Sequence, residues 1–172
     1  LTNAELERIG LGLGADVPFF IRGGLTRTRG IGEELESHEC KYNFWLVIIQ
    51  PCSGLSTAKV FGMWHESPGT EKPDTGKALQ ALVNGNLDLL CRNIGNALQP
   101  VSQSLGPAIV TACSNLVSEG AVTAKMTGSG SAVFGVFRSS VQANKAFRKL
   151  SSVYKTIFLC HTQHDSIRFS VD

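Results

Sequence analysis

The chain predicts an α+β fold: a ferredoxin-like split βαβ sandwich with extra helices, preceded by a remnant of an upstream domain. Three observations predict it. Four short apolar runs, "YNFWLVIIQP", "AVTAKM", "SAVFGVFR" and "TIFLCHT", have strand length and β-branched or aromatic content. Between them lie segments with helical spacing, in the order β-α-α-α-β-β-α-β from Tyr42 onward. Residues 1–38 hold strand-like pieces with no evident sheet partners, and isolated pieces of sheet are not stable alone. The expected division is therefore 1–38, the tail of an upstream domain, and 39–172, the sandwich.

The elements follow in chain order. "TNAELERI" reads as a short helix, with Thr2 or Asn3 as cap and Glu5 near its positive end, stopped by Gly10. "LGLGADVPFFIRGG" shows no clean period. "GLTRTRGIGEELE" reads as two short strands around a turn at Gly30-Ile31-Gly32. Tyr42 to Pro51 is a continuous apolar run ended by proline, which suits a buried central strand. In "GLSTAKVFGMW" Ser56 or Thr57 opens a helical turn, and "HESPGTEKPDTG", residues 65–76, reads as a long surface loop. Residues 77–98 carry leucines at helical spacing interrupted by "NGN", which gives two helices. "SLGPAIVTACSNLVSEG" is an amphipathic helix with Pro107 in its first turn and Gly120 beyond its end. "VQANKAFRKLSSVY" is the last helix, with Ala143, Ala146, Phe147 and Leu150 on one face.

Composition narrows the class. Of the 172 residues 42% are hydrophobic and 17% charged, which is globular, and the net charge of +2 with no basic block makes no demand for nucleic acid. No apolar run approaches the ~20 residues of a membrane span, and no basic-then-apolar leader opens the chain. The five cysteines, Cys40, Cys52, Cys91, Cys113 and Cys160, are widely spaced without a CxxC pair. That points to buried thiols in a reducing, cytoplasm-like compartment rather than to zinc or disulfides. His38, His65, His161 and His164 lie too scattered for a metal site. The first residue is Leu1, so the sequence is expected to be cut from something longer.

Two stretches carry candidate chemistry. In "MTGSGSAVFGVF" the residues Gly128, Ser129 and Gly130 place amide donors and hydroxyls in a small volume directly before a buried strand. Such a concavity suits a phosphate, and a plain Gly-Ser turn is the competing reading. Asp16 stands between a Gly-rich approach and "VPFF", where a carboxylate held beside apolar residues can accept a hydroxyl proton. The alternative is an N-cap for a turn starting at Val17-Pro18. "GLGLGAD" is no dinucleotide fingerprint, because a helix precedes it, and no GxxxxGK[ST] loop occurs.

Taken together, "LGLGADVPFFIRGG", "GIGEEL", "PCSGLSTAKVF" and "KMTGSGSAVFGVF", in that order, resemble the carboxy-terminal part of a GHMP-type kinase. Within that superfamily the resemblance is to the branch serving the non-mevalonate isoprenoid pathway. It implies that Asp16 activates a substrate hydroxyl for attack on the γ-phosphate of ATP, with Mg2+ as companion ion. It implies that Gly128, Ser129 and Gly130 form the loop facing the phosphates. It further implies that Thr57 and Phe61 border the cytidine side of a pocket for a cytidine diphosphate-linked methylerythritol. The implied partner is an amino-terminal half with a Lys-Asn motif and a GLGGGS-type loop, neither of which is in this sequence, so the chain alone is expected to be inactive. The implied location is cytoplasmic, or stromal in a plastid.

Two other readings compete. A different GHMP-type kinase would share these motifs. The other is a free-standing, non-catalytic ferredoxin-like binding module, either RNA-binding or ligand-sensing; an RNA-binding one would show aromatics on one sheet face introduced by Lys or Arg. Here Phe134 and Phe137 alternate to opposite faces.

Overall fold

The computed structural model describes residues 1–40, 42–66 and 73–163. The chain divides into two compact units, one built on Leu1–Tyr42 with Leu82–Gly85, the other on Asn43–Ala81 and Asn86–Thr162.

The first unit opens with α1 (Asn3–Leu11), closed at its start by a capping box between Thr2 and Glu5. Gly10 does not stop this helix but lies within it. A Cβ there would come within 2.8 Å of Val17 Cγ1, so the glycine is what lets α2 (Val17–Arg22) pack closely. The aperiodic stretch thus contains a helix. At six residues it is too short to show a 3.6-residue period, and Pro18 in its first turn was its one visible signal. The strands β1 (Leu25–Arg29) and β2 (Glu34–His38) pair antiparallel, from Leu25↔His38 to Arg29↔Glu34, as a hairpin. Arg22 ties the three parts together. Its Nε donates to Glu7 Oε1 of α1 at 2.8 Å, a second guanidinium nitrogen pairs with Glu7, and the third donates to the Leu35 carbonyl of β2 at 3.0 Å.

The second unit is the sandwich. Its strands are β3 (Trp45–Ile49), β4 (Thr123–Met126), β5 (Val133–Phe137) and β6 (Ile157–His161), in the order β4-β5-β3-β6. All the pairings are antiparallel, which is the expected split βαβ arrangement. Cross-strand partners Trp45↔Phe137, Val47↔Gly135 and Ile49↔Val133 share one face, and α7 (Ala108–Ser118) and α8 (Ser140–Leu150) cover it. Val47, Ile49, Ile109, Ala112, Leu116, Val133, Ala143 and Ala146 are completely buried in that layer. Gly135 allows α7 its close seat, since a Cβ there would meet Leu116 and Ala121 at 3.1 Å.

The first crossover holds five helices among the described residues where three were expected: α3 (Thr57–Glu66), α4 (Thr75–Val83), α5 (Leu87–Asn93), α6 (Gln99–Leu105) and α7. The stretch read as a helical turn is the whole of α3. Helix α6, "QPVSQSL", escaped because its buried face carries Ser102, fully buried, where a periodic pattern wants an apolar residue. The expected loop 65–76 falls partly on residues 67–72, which with His164 lie outside the described residues. No described helix is long and apolar enough to cross a membrane.

Candidate functional site

The Gly-Ser loop joins β4 to β5 and is held from four directions. Thr127 N–H donates to Ala132 O at 2.9 Å, and Gly130 N–H returns to Thr127 O at 3.2 Å. Gly128 and Gly130 have φ of +58° and +90°, values that side-chain-bearing residues rarely adopt, and a Cβ on Gly130 would sit 2.7 Å from Met126 Sδ. From α6, the buried Ser102 hydroxyl donates to Ser129 O at 3.0 Å. The Asn96 amide donates to Met126 O at 3.0 Å and Gly128 O at 2.8 Å, while its oxygen accepts from Leu98 N–H at 2.9 Å. Ser131, 1% exposed, donates to Cys52 O at 2.6 Å.

The consequence is directional. Internal donors hold the carbonyls of Thr127, Gly128 and Ser129, whereas the amides of Gly128 and Ser129 have no acceptor among the described residues. A loop with these oxygens tied back and two successive N–H groups unengaged has the donor arrangement that an anion needs.

Thr57 meets this loop. Its Oγ1 lies 2.9 Å from Ser129 Oγ, so two candidates 72 positions apart in sequence are in hydrogen-bonding contact. Thr57 starts α3, where Ser56 O accepts from Val60 N–H at 3.0 Å and Ser56 Oγ from Lys59 N–H at 3.4 Å. Phe61 lies one turn further on the same helical face. It is 44% exposed while its neighbour Val60 is fully buried, so the aromatic ring stands outward beside the loop's partner helix.

Asp16 belongs to the first unit. It is exposed rather than buried against Phe19 and Phe20, and it sits at the N-cap position of α2 in an αR conformation. Its side chain makes no capping hydrogen bond, so the carboxylate is not spent on the helix end. It lines a cavity of about 270 Å³ with Phe19, Phe20, Thr26 and Thr28. The two phenylalanine rings, with centroids 5.6 Å apart, give this cavity an apolar wall beside a carboxylate and two hydroxyls.

The described histidines form no cluster, and no group of three or more His, Cys, Asp or Glu that could hold a metal ion occurs among the described residues. The cysteines are all free and half-buried; burial pushes the thiols of Cys91, Cys113 and Cys160 up. Asn96, Gln99 and Ser102, the loop's anchors, belong to no motif. The legible signal was Ser102 at helical spacing between Leu98 and Leu105, a serine in an apolar stripe.

Comparison with known proteins matches residues 78–156 to the family model "GHMP kinases C terminal". The chain is 38% identical over 94% of its length to 4-diphosphocytidyl-2-C-methyl-D-erythritol kinase of Moorella thermoacetica, covering 58% of that protein. It is also 38% identical over 92% of its length to the enzyme of the same name from Alkaliphilus metalliredigens, covering 55% of it. The chain thus spans somewhat more than half the length of these curated relatives. A crystal structure of 4-(cytidine 5'-diphospho)-2C-methyl-D-erythritol kinase superposes with a TM-score of 0.75 at 25% identity, over 91% of this chain and 56% of that one. The fold extends further, to a crystal structure of "L. major mevalonate kinase" with a TM-score of 0.66 at 19% identity, over 97% of this chain and 60% of that one.

Proposed function

Because the chain belongs to the GHMP kinase superfamily, we propose that it supplies the catalytic aspartate and a phosphate-facing loop to a small-molecule kinase. The acceptor in this reading is a hydroxyl of 4-diphosphocytidyl-2-C-methyl-D-erythritol, as the names of the relatives suggest. Residues 1–38 are then the tail of a domain whose remainder carries the Lys-Asn motif and the main nucleotide loop, and 39–172 the carboxy-terminal domain.

One observation carries the reading: the Gly128 and Ser129 amides have no acceptor among the described residues while the carbonyls of Thr127, Gly128 and Ser129 are held, and the Thr57 hydroxyl is hydrogen-bonded to that of Ser129. Such donors fit the oxygens of a phosphate chain. ATP supplies the phosphoryl group and Mg2+ neutralises its charge. Mg2+ on a nucleotide keeps several waters and needs only one or two carboxylates.

Each residue then has a defined task. Asp16 takes the proton of the attacking hydroxyl as the new bond from that oxygen to the γ-phosphorus forms and the bond from that phosphorus to the β,γ-bridging oxygen breaks, with ADP leaving. Gly128 and Ser129 donate to phosphate oxygens as charge develops, without having to reorganise. Gly130 has no donor to spare, because its N–H is bonded to Thr127 O; it shapes the loop. Thr57 offers a hydroxyl, and Phe61 an exposed ring on which a pyrimidine can stack. The small loop residues and the buried Ser131 behind them serve one end: the backbone itself is the binding surface.

The test is Asp16→Asn, assayed with the nucleotide-binding half present, fused or in trans. A general base acting in the transition state gives a kcat lowered roughly 10²–10⁴-fold with KM little changed. Near-full kcat in the Asn variant would make Asp16 structural and remove the proposed mechanism. The 172-residue chain alone, titrated with Mg-ATP by calorimetry, is expected to show no tight binding; micromolar affinity would place the whole nucleotide site on this chain.

A further inference from the structure

A second concave site lies in the sandwich unit, and its two cations are not among the residues used above. It is a cavity of about 420 Å³ between α5, α6 and β4. Arg92 from the end of α5 and Lys125 from β4 both line it, and neither has a carboxylate partner among the described residues. An exposed arginine alone would mean nothing. Two cations brought to one concavity from different elements, with no counter-charge of their own, are another matter.

The rest of the lining points the same way. Gln99 spends its oxygen on Met126 N–H at 2.9 Å, which leaves its NH2 group as the free end of the carboxamide. The Gln103 carboxamide makes no hydrogen bond among the described residues, so its donors are open as well. Asp74 is the one carboxylate lining the cavity, and it is already engaged. It accepts from Lys77 N–H at 3.0 Å and pairs with Lys77 Nζ at 3.3 Å, contacts that hold its carboxyl below the usual range.

The geometry points to a binding site for a small phosphate-bearing anion, held by Arg92 and Lys125 and completed by the Gln99 and Gln103 amides. Guanidinium and ammonium donors facing phosphate oxygens make charge-assisted bonds, the strong class. The cavity is within the size of small-molecule sites. Its place in the fold gives it a consequence. Asn96 and Gln99 line the cavity and at the same time hold both backbone groups of Met126, where the Gly-Ser loop begins. An anion drawn to Gln99 therefore pulls on the root of that loop. This second claim rests on the kinase reading; the binding claim does not.

Amide NMR spectra of the protein titrated with inorganic pyrophosphate test it, with ADP in a parallel titration. Expected is saturable binding that shifts the signals of Arg92, Gln99 and Lys125 and weakens with added salt. Arg92→Gln and Lys125→Gln should each weaken it at least 10-fold while leaving the remaining spectrum, and hence the fold, unchanged. Tighter binding of ADP at the same residues assigns the anion to a nucleotide, and tighter pyrophosphate to a free phosphate compound. Shifts confined to Gly128 and Ser129 and untouched by either substitution would overturn the site while leaving the kinase reading intact. Absence of saturable binding up to about 10 mM, the weakest range a specific site would show, would overturn it too. Conversely, binding at Arg92 with no response of Gly128 to Mg-ATP would count against the loop's role alone.

Discussion

Replacing Asn96 by aspartate exchanges one heavy atom, the amide nitrogen for a carboxylate oxygen, and inverts the chemistry of the loop's main anchor. Only one orientation of the native carboxamide satisfies its three partners: nitrogen toward Met126 O and Gly128 O, oxygen toward Leu98 N–H. In Asn96→Asp at neutral pH a carboxylate oxygen faces two carbonyl oxygens at positions now 3.0 and 2.8 Å from an amide nitrogen. Each carbonyl stripped of its donor costs about 1–3 kcal/mol, and the half-buried position lets water recover part, so the expected loss is roughly 2–4 kcal/mol. Facing carbonyl oxygens favour the protonated acid, so the folded pKa of the new side chain is raised above the ordinary ~3.9. Its favourable contribution is then fully present below the unfolded value and is lost as pH rises through the raised folded value. Urea unfolding followed by Trp45 and Trp64 fluorescence at pH 4 and pH 7.5 reads both effects. A variant within about 0.5 kcal/mol of wild type at pH 7.5, the scale of an inconsequential surface change, or a deficit that does not grow with pH, would refute the anchor.

Other outcomes follow from the same contacts. Ser102→Ala, which strands Ser129 O behind a fully buried position, should cost about 1–3 kcal/mol in urea unfolding, whereas Thr57→Val, at an exposed contact, should cost under about 0.5 kcal/mol. Gly135→Ala drives a methyl to 3.1 Å from Leu116 and Ala121 and should destabilise by about 1–3 kcal/mol, read as a lowered urea midpoint. Leu116→Ala removes fully buried volume from the same interface and should cost about 2–5 kcal/mol. Because burial raises the Cys91, Cys113 and Cys160 thiols, their alkylation at pH 8 should be slower than that of a free thiol and should reach the ordinary rate in urea.

The sandwich was legible because its strands are short apolar runs and its principal helices are amphipathic, two patterns that local sequence carries. The run from Tyr42 to Pro51 yielded a central strand, and the Ala143, Ala146 and Leu150 face of α8 is buried as its spacing implies. Helix α2 was not legible, since six residues hold fewer than two turns. The placement of Gly10 was misread because a glycine that admits a neighbouring helix looks in sequence like one that ends its own. At the candidate site the motif residues were visible, but their supports were not. Asn96 and Ser102 act through backbone carbonyls 27 to 32 positions away, and no spacing rule in a single sequence encodes such a meeting.

The carboxamides of Asn96 and Gln99 have a consequence beyond the loop. Strand β4 is at the margin of the sheet, and at Met126 these two side chains take the N–H and C=O that another strand would otherwise bond. An open strand margin is a template for another chain, and many proteins blunt theirs with a lysine or a proline. Here two neutral side chains perform that duty by mimicking the missing strand's peptide groups. Substitutions that release Met126 would therefore be felt between molecules as well as within one. Protection of this margin from intermolecular β-pairing and the shape of the Gly-Ser loop are thus expected to depend on the same two residues.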